Sequence, residues 1–189
     1  TLGSAAVNDG SGYSVLLRGT EIFTTINVEE IVSYTSFALY LGNPFGGTAY
    51  INSQRITNNE GASTDTPIFI VGQQTGSKVY IDSQVIESNS NALNIQSNVG
   101  GELYVKANVN SGTGNNIVCL NNGKGGYPFD FTYEGNNVGN GYGVLTFGPS
   151  FSNGGGFTLN HIGKVFSKNS AAINWNGGTL NLTGDIIAS

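Results

Sequence analysis

Three stretches of the chain nearly repeat one another: Tyr50-Ile51-Asn52-Ser53-Gln54-Arg55-Ile56, Tyr80-Ile81-Asp82-Ser83-Gln84-Val85-Ile86 and Tyr104-Val105-Lys106-Ala107-Asn108-Val109. Ten positions before the second residue of each, a short apolar run reaches Leu41, Val71 and Ile95. Self-similarity at a period of two to three dozen residues marks a solenoid, in which one supersecondary unit stacks on the next. Few other constraints narrow the fold so far.

Allowing loops of unequal length extends the repeat over most of the chain. One anchor runs Ile26, Ile51, Ile81, Val105, Phe131, Leu159, Leu182, in steps of 23 to 30 residues. A preceding anchor runs Leu16, Leu41, Val71, Ile95, Leu120, Phe147, Trp175. Two residues before each of these, all but Ser14 are apolar, which is the period-2 alternation of a half-buried strand. Glycine-bearing turns separate the two strands, and a third apolar corner follows at Ile31, Ile56, Ile86, Phe166 and Ile187. No segment keeps a helical period, and all four prolines fall in expected turns. The expectation is an all-β chain, a parallel β-helix solenoid of about seven coils and a rod roughly 30–35 Å long. Residues 13–189 form the solenoid as a single domain. Residues 1–12 form an N-terminal segment or partial cap, to which Leu2 and Val7 contribute.

Composition bounds the setting. Only 10% of residues are charged, while Gly, Asn, Ser and Thr abound, a surface common on secreted fibres. That composition sets the expected location outside the cell, at a cell surface or on a virion. A net charge of −5 with scattered basic residues argues against nucleic acid, which requires a basic stripe. No run approaches the ~20 apolar residues of a membrane span. The lone Cys119 rules out an intrachain disulfide. Without methionine, Thr1 is expected to be a processed end or an expression boundary.

The coils resemble those of the right-handed parallel β-helix superfamily, the pectin-lyase-like fold of phage tailspikes, polysaccharide lyases and bacterial adhesins. Phe166-Ser167-Lys168-Asn169 followed by Gly177-Gly178 is similar to the F-x-x-N and G-G motifs of polymorphic outer-membrane repeat adhesins. Ile56-Thr57-Asn58-Asn59 and Ile86-Glu87-Ser88-Asn89 repeat it with isoleucine first, though Gly-Gly lacks the following Ala-Ile. In such motifs a corner asparagine is expected to bond turn backbone and the asparagine of the next coil. The resemblance implies a surface adhesin or spike, or else an enzyme that cuts polysaccharide.

Polysaccharide-cleaving β-helices use outward carboxylates, about 5–5.5 Å apart for retention and 6.5–9.5 Å for inversion. The candidates are Asp82, Glu87, Glu102 and Asp130. Asp82 and Asp130 fall two coils apart in different columns, and Lys78 and Lys106 are expected beside Glu102 as ordinary surface partners. Cys119 is expected outward and His161 in the turn after Leu159, in different columns of adjacent coils, which favours a surface thiol and a turn histidine over a Cys-His dyad. One histidine and one cysteine make no zinc set. Asn8-Asp9-Gly10-Ser11-Gly12 lacks the acidic ligands of a calcium loop. No metal or cofactor is expected. Asn181-Leu182-Thr183 fits the N-glycosylation pattern.

The most informative surface feature is the outward column expected beside the second anchor: Thr25, Tyr50, Tyr80, Tyr104, Asp130, Thr158, Asn181. Three consecutive tyrosines form an exposed ladder, suited to sugar rings or another protein, or serving only to stabilise the sheet. Tyr40 and Ile70 form a second outward run, apolar enough to meet a neighbouring subunit. The reading is a non-enzymatic structural or adhesive solenoid whose partners are copies of itself and, secondarily, surface polysaccharide. A tailspike-type depolymerase is the alternative, since one scaffold hosts both.

Overall fold

The computed structural model describes residues 13–34, 36–58, 66–120, 122–123, 127–147 and 156–189. The expected cap over 1–12 lies outside the described residues. All strand pairings are parallel, and no described residue is helical. The chain is an all-β parallel solenoid whose rungs have three faces.

The first face stacks the start of β1 (Val15–Asn27), the start of β3 (Leu39–Asn58), β4 (Ile68–Val71), β6 (Leu93–Gln96), β8 (Ile117–Leu120), β11 (Val144–Phe147) and β14 (Ile173–Asn174). The second stacks the end of β1, the middle of β3, the starts of β5 (Lys78–Ser88) and β7 (Gly101–Ser111), β9 (Phe129–Glu134), β12 (Phe157–Ile162) and β15 (Thr179–Thr183). The third stacks β2 (Glu30–Ser33), the ends of β3, β5 and β7, β10 (Asn137–Gly139), β13 (Val165–Ser167) and β16 (Ile186–Ala188). Each face therefore has seven rungs, about six turns of rise.

The core is continuous down the axis, because each coil buries apolar residues on those above and below. On the second face one inward column runs Ile26, Ile51, Ile81, Val105, Tyr133, His161, Leu182. Phe131 and Leu159, expected there, belong to the adjacent inward column with Ala49, Val79 and Leu103. The slip is two residues and leaves both buried, since alternation distinguishes faces but not columns on one face.

The first face carries the opposite error. Leu41 is in register with Ile70, Ile95 and Cys119, not with Val71. Ile70, expected outward, is 0% exposed; Phe69 takes the slot beside Tyr40, and Val71 is only half-buried. Likewise Leu17 rather than Leu16 is buried, and Leu120 shares the outward register of Gln96. A one-residue slip reverses every side chain. On the third face the inward column is Ile31, Ile56, Ile86, Val109, Asn137, Val165, Ile186, so Phe166 and Ile187 are outward with Val138.

No Asp, Glu, Lys or Arg is buried among the described residues. Corner asparagines bond buried backbone groups and one another from coil to coil. Asn98 accepts from the Gln73 backbone N–H at 2.8 Å and donates to Asn122 at 2.8 Å; Asn122 donates to the Ile95 carbonyl at 3.0 Å. This is the expected asparagine role, at different corners from the F-x-x-N echo. At the corner between the second and third faces, Gly135, Gly163 and Gly184 form a column with φ of +144°, +128° and +133°. A Cβ on Gly163 would lie 2.1 Å from the Gly135 carbonyl oxygen, so only glycine lets these corners nest.

Candidate interaction face

The second face is a parallel sheet whose outward residues make three columns. The middle column reads Thr25, Tyr50, Tyr80, Tyr104, Thr132, Asn160, Asn181. Asp130 and Thr158, expected in it, stand one column aside, with Phe23, Thr48, Lys78, Glu102 and Thr179. The third column is Asn27, Asn52, Asp82, Lys106, Glu134, Ile162, Thr183.

The tyrosines form the ladder, but in a particular attitude. The Tyr50 and Tyr80 rings stack with centroids 4.9 Å apart and planes 7° from parallel, whereas Tyr104 is tilted by 47° from Tyr80 at 6.4 Å. Strand spacing is roughly 4.8 Å, so in-register rings lie flat on one another. Their faces are spent internally, and solvent meets their edges and hydroxyls. Tyr50 is the most open of the three, at 46% exposed.

Charges flank the ladder in ordered pairs. Lys78 Nζ lies 3.0 Å from Glu102 Oε2, and Lys106 Nζ lies 3.3 Å from Glu134 Oε1. Tyr104 donates its hydroxyl hydrogen to Glu134 at 2.5 Å. That bond pushes the Tyr104 phenol up to about 12 and, with Lys106, holds the Glu134 carboxyl below the usual carboxylate range. Asn52 donates to Asn27 and Asn181 to Asn160, at 2.7 and 2.8 Å, so polar ladders extend the surface at both ends. A shallow depression of about 330 Å³ at the edge of this face is lined by Asp82, Gln84, Lys106, Asn108 and Glu134.

Asp82 and Asp130 stand on the third and fifth rungs in different columns and do not meet. Glu102 and Asp130 are neighbours on adjacent rungs, both exposed, with Glu102 held by Lys78. Glu87 is on the third face, where Arg55 donates to it at 2.8 Å. Tyr40 joins Tyr13, Phe37 and Phe69 in an aromatic cluster on the first face, with Tyr40 and Phe69 rings 5.5 Å apart. Burial raises the Tyr40 phenol pKa. Lys78 stands beside Glu102 as expected, whereas Lys106, expected there too, lies in the other column and pairs with Glu134, a partner the sequence reading does not name.

Cys119 and His161, expected at the surface, are both interior. Cys119 lies under Ile95 in the inward column of the first face, and burial pushes its thiol pKa well above the ordinary range. His161 lies in β12, 1% exposed, with its ring 4.7 Å from that of Tyr133. Neither ring nitrogen has a hydrogen-bond partner, and desolvation lowers its pKa to about 4. Among the described residues no group of three or more His, Cys, Asp or Glu is placed to hold a metal ion. Among the described residues no helix is long and apolar enough to cross a membrane. Comparison with protein-family models, with curated proteins and with solved structures found no match.

Proposed function

We propose that this chain is a non-enzymatic structural or adhesive solenoid, displayed at a cell or virion surface as part of a fibre, filament or spike. The observation that carries the reading is the second face: among the described residues none of its outward side chains is buried, and it carries stacked tyrosines and charges matched in ion pairs. Such a face suits an extended partner better than a small molecule, which needs a concave site that buries most of its surface. The glycine-, asparagine- and serine-rich sequence with few charges fits display outside the cell. Kinship with pectin-lyase-like β-helices of the tailspike or adhesin kind belongs to the same proposal and rests on shared architecture and the short motif.

One observation favours the depolymerase as a second reading. Glu102 and Asp130 are outward register partners on adjacent rungs, the kind of neighbouring carboxylates a retaining pair at roughly 5–5.5 Å would be built from. A single experiment separates the two. The purified protein is immobilised, surface polysaccharides are passed over it, and both retention and chain length are measured. Retention of intact polymer supports adhesion. Shortened chains, with shortening abolished in E102Q and D130N, would replace the adhesive reading with the enzymatic one.

A further inference from the structure

The charges beside the tyrosines pair down their own columns within the chain, and they are also ordered across the face. On the third rung the order across the face is Lys78, Tyr80, Asp82; on the fourth it is Glu102, Tyr104, Lys106. The sign reverses in both columns between one rung and the next. On the second rung the flanking residues are Thr48 and Asn52, and on the fifth they are Asp130 and Glu134.

We propose that the second face is a two-fold interface at which two copies of this chain meet face to face with their solenoid axes antiparallel. The inference rests on the reading above that the chain works within an assembly, and it names the partner and the register. A two-fold axis lying along the strand direction, between the third and fourth rungs, keeps each column opposite itself and exchanges the rungs. Lys78 then faces Glu102 of the second copy, Asp82 faces Lys106, and Tyr80 faces Tyr104, each contact occurring twice by symmetry. The acids of the fifth rung, Asp130 and Glu134, face the neutral Thr48 and Asn52.

Several other registers conflict. An axis on the fourth rung sets Glu102 against Glu102 and Lys106 against Lys106. An axis between the fourth and fifth rungs sets Glu102 against Asp130. A parallel face-to-face arrangement matches Lys78 with Asp82 but sets Asp130 against Glu134 on both sides. Like charges directly opposed are penalised. An axis between the second and third rungs opposes no like charges but leaves Lys78 and Asp82 against Thr48 and Asn52, so only the register between the third and fourth rungs meets all four charges of those rungs with their opposites and opposes no like charges. The face spans roughly 30 Å of rungs by about five strand residues, which buries on the order of 1,000 Å² in total. That size fits a reversible dimer rather than an obligate one. Tyrosine edges and hydroxyls at the centre suit protein contact at low cost in side-chain entropy.

The test uses the whole chain and two charge reversals. Wild type is examined by sedimentation velocity up to about 500 µM, where a dimer of micromolar to sub-millimolar affinity is visible. K78E opposes carboxylates across the axis, and E102K opposes ammonium groups. Each variant alone is expected to dimerise at least about tenfold more weakly. An equimolar mixture of the two restores every opposition and is expected to regain the wild-type dimer. D82K and K106E repeat the experiment in the other column, and unchanged melting temperatures show that the fold survives. A wild type that stays monomeric, or a mixture that stays monomeric while each variant is folded, overturns the interface. Assemblies that none of the four variants disturb also overturn it, yet leave the surface-assembly reading standing. Polysaccharide retention by a strictly monomeric protein likewise removes only the dimer.

Discussion

Lowering the pH from 7 to 4 should weaken this fold chiefly through one residue, His161. Its imidazole occupies an inward column between Tyr133 and Leu182, with both ring nitrogens buried and unpaired. In the unfolded chain the ring titrates near 6.5; in the folded chain desolvation depresses it to about 4. The unfolded state therefore binds the proton first. Stability is fully present above about pH 6.5, falls as pH drops from there towards 4, and then levels off. A gap of roughly 2.5 units corresponds to about 3 kcal/mol at 1.36 kcal/mol per unit. Against a typical total of about 5–15 kcal/mol, that is a large share from one side chain.

The control is His161→Leu. Leucine already fills the next position of this column at Leu182, so the substitution suits the site in kind and size. It forfeits the ring contact with Tyr133, about 0.5–1.5 kcal/mol, but removes two unsatisfied buried nitrogens, which cost about 1–3 kcal/mol. Near-neutral to slightly raised stability is expected at pH 7. Urea unfolding of both proteins at half-unit steps from pH 7.5 to 3.5 isolates the histidine, because the carboxylates titrate in both. The difference should open by about 3 kcal/mol between pH 6.5 and 4. Parallel pH profiles, with no gap opening, would refute the buried, unpaired placement.

Four further outcomes are expected. Ile81→Asp should cost upwards of about 4 kcal/mol by burying an unpaired carboxylate, while its exposed neighbour variant Asp82→Asn stays within about 0.5 kcal/mol, both read from thermal melts. Gly163→Ala should cost about 2–3 kcal/mol and disturb the C-terminal coils, because the added Cβ meets the Gly135 carbonyl at 2.1 Å; equal denaturation midpoints would count against the nested corner. Cys119 should resist a thiol reagent in native protein and react fully in denaturant, as its burial and raised pKa require. In Tyr104→Phe, an NMR titration should show the Glu134 carboxyl moving up towards its ordinary range, since its principal hydrogen-bond donor is gone.

The solenoid was legible in the sequence because period-2 alternation and the recurring Tyr-Ile/Val pair both survive in the second strands. Where alternation is clean, as at Tyr80-Ile81-Asp82, inward and outward positions emerge correctly. Runs such as Ile68-Phe69-Ile70-Val71 and Ile117-Val118-Cys119-Leu120 are apolar at every position, so the sequence alone carries no parity signal there. Neighbouring rungs supply it, which is why Ile70 and Cys119 turned inward. Column identity is weaker still. Phe131 and Tyr133 both face the core, and only hydrogen-bonded register places Tyr133 under Val105. His161 was misread because a polar residue suggested a turn; its partner Tyr133, two residues after Phe131, was the available signal. The Lys78–Glu102 pair was legible from the repeat, but only column register separates Lys106 from Glu102 and gives it to Glu134.

The tyrosine ladder shows how the fold limits its own recognition chemistry. Parallel strands in register sit about 4.8 Å apart, little more than the thickness of an aromatic ring, so neighbouring rings on adjacent rungs collapse onto each other. Tyr50 and Tyr80 do so almost perfectly flat. Stacking on a sugar requires an open ring face turned outward, and these two rings turn their edges out. What remains is a line of hydroxyls and ring edges, with Tyr104 already bonded to Glu134. A glycan would have to be held here by hydrogen bonds from tyrosine, threonine and asparagine, in competition with water at every contact. A second sheet of the same kind, bringing its own edges and matched charges, loses less, because opposing side chains exclude water together. In a parallel solenoid an aromatic column is therefore first a device for holding rungs in register, and only secondarily a signpost to carbohydrate.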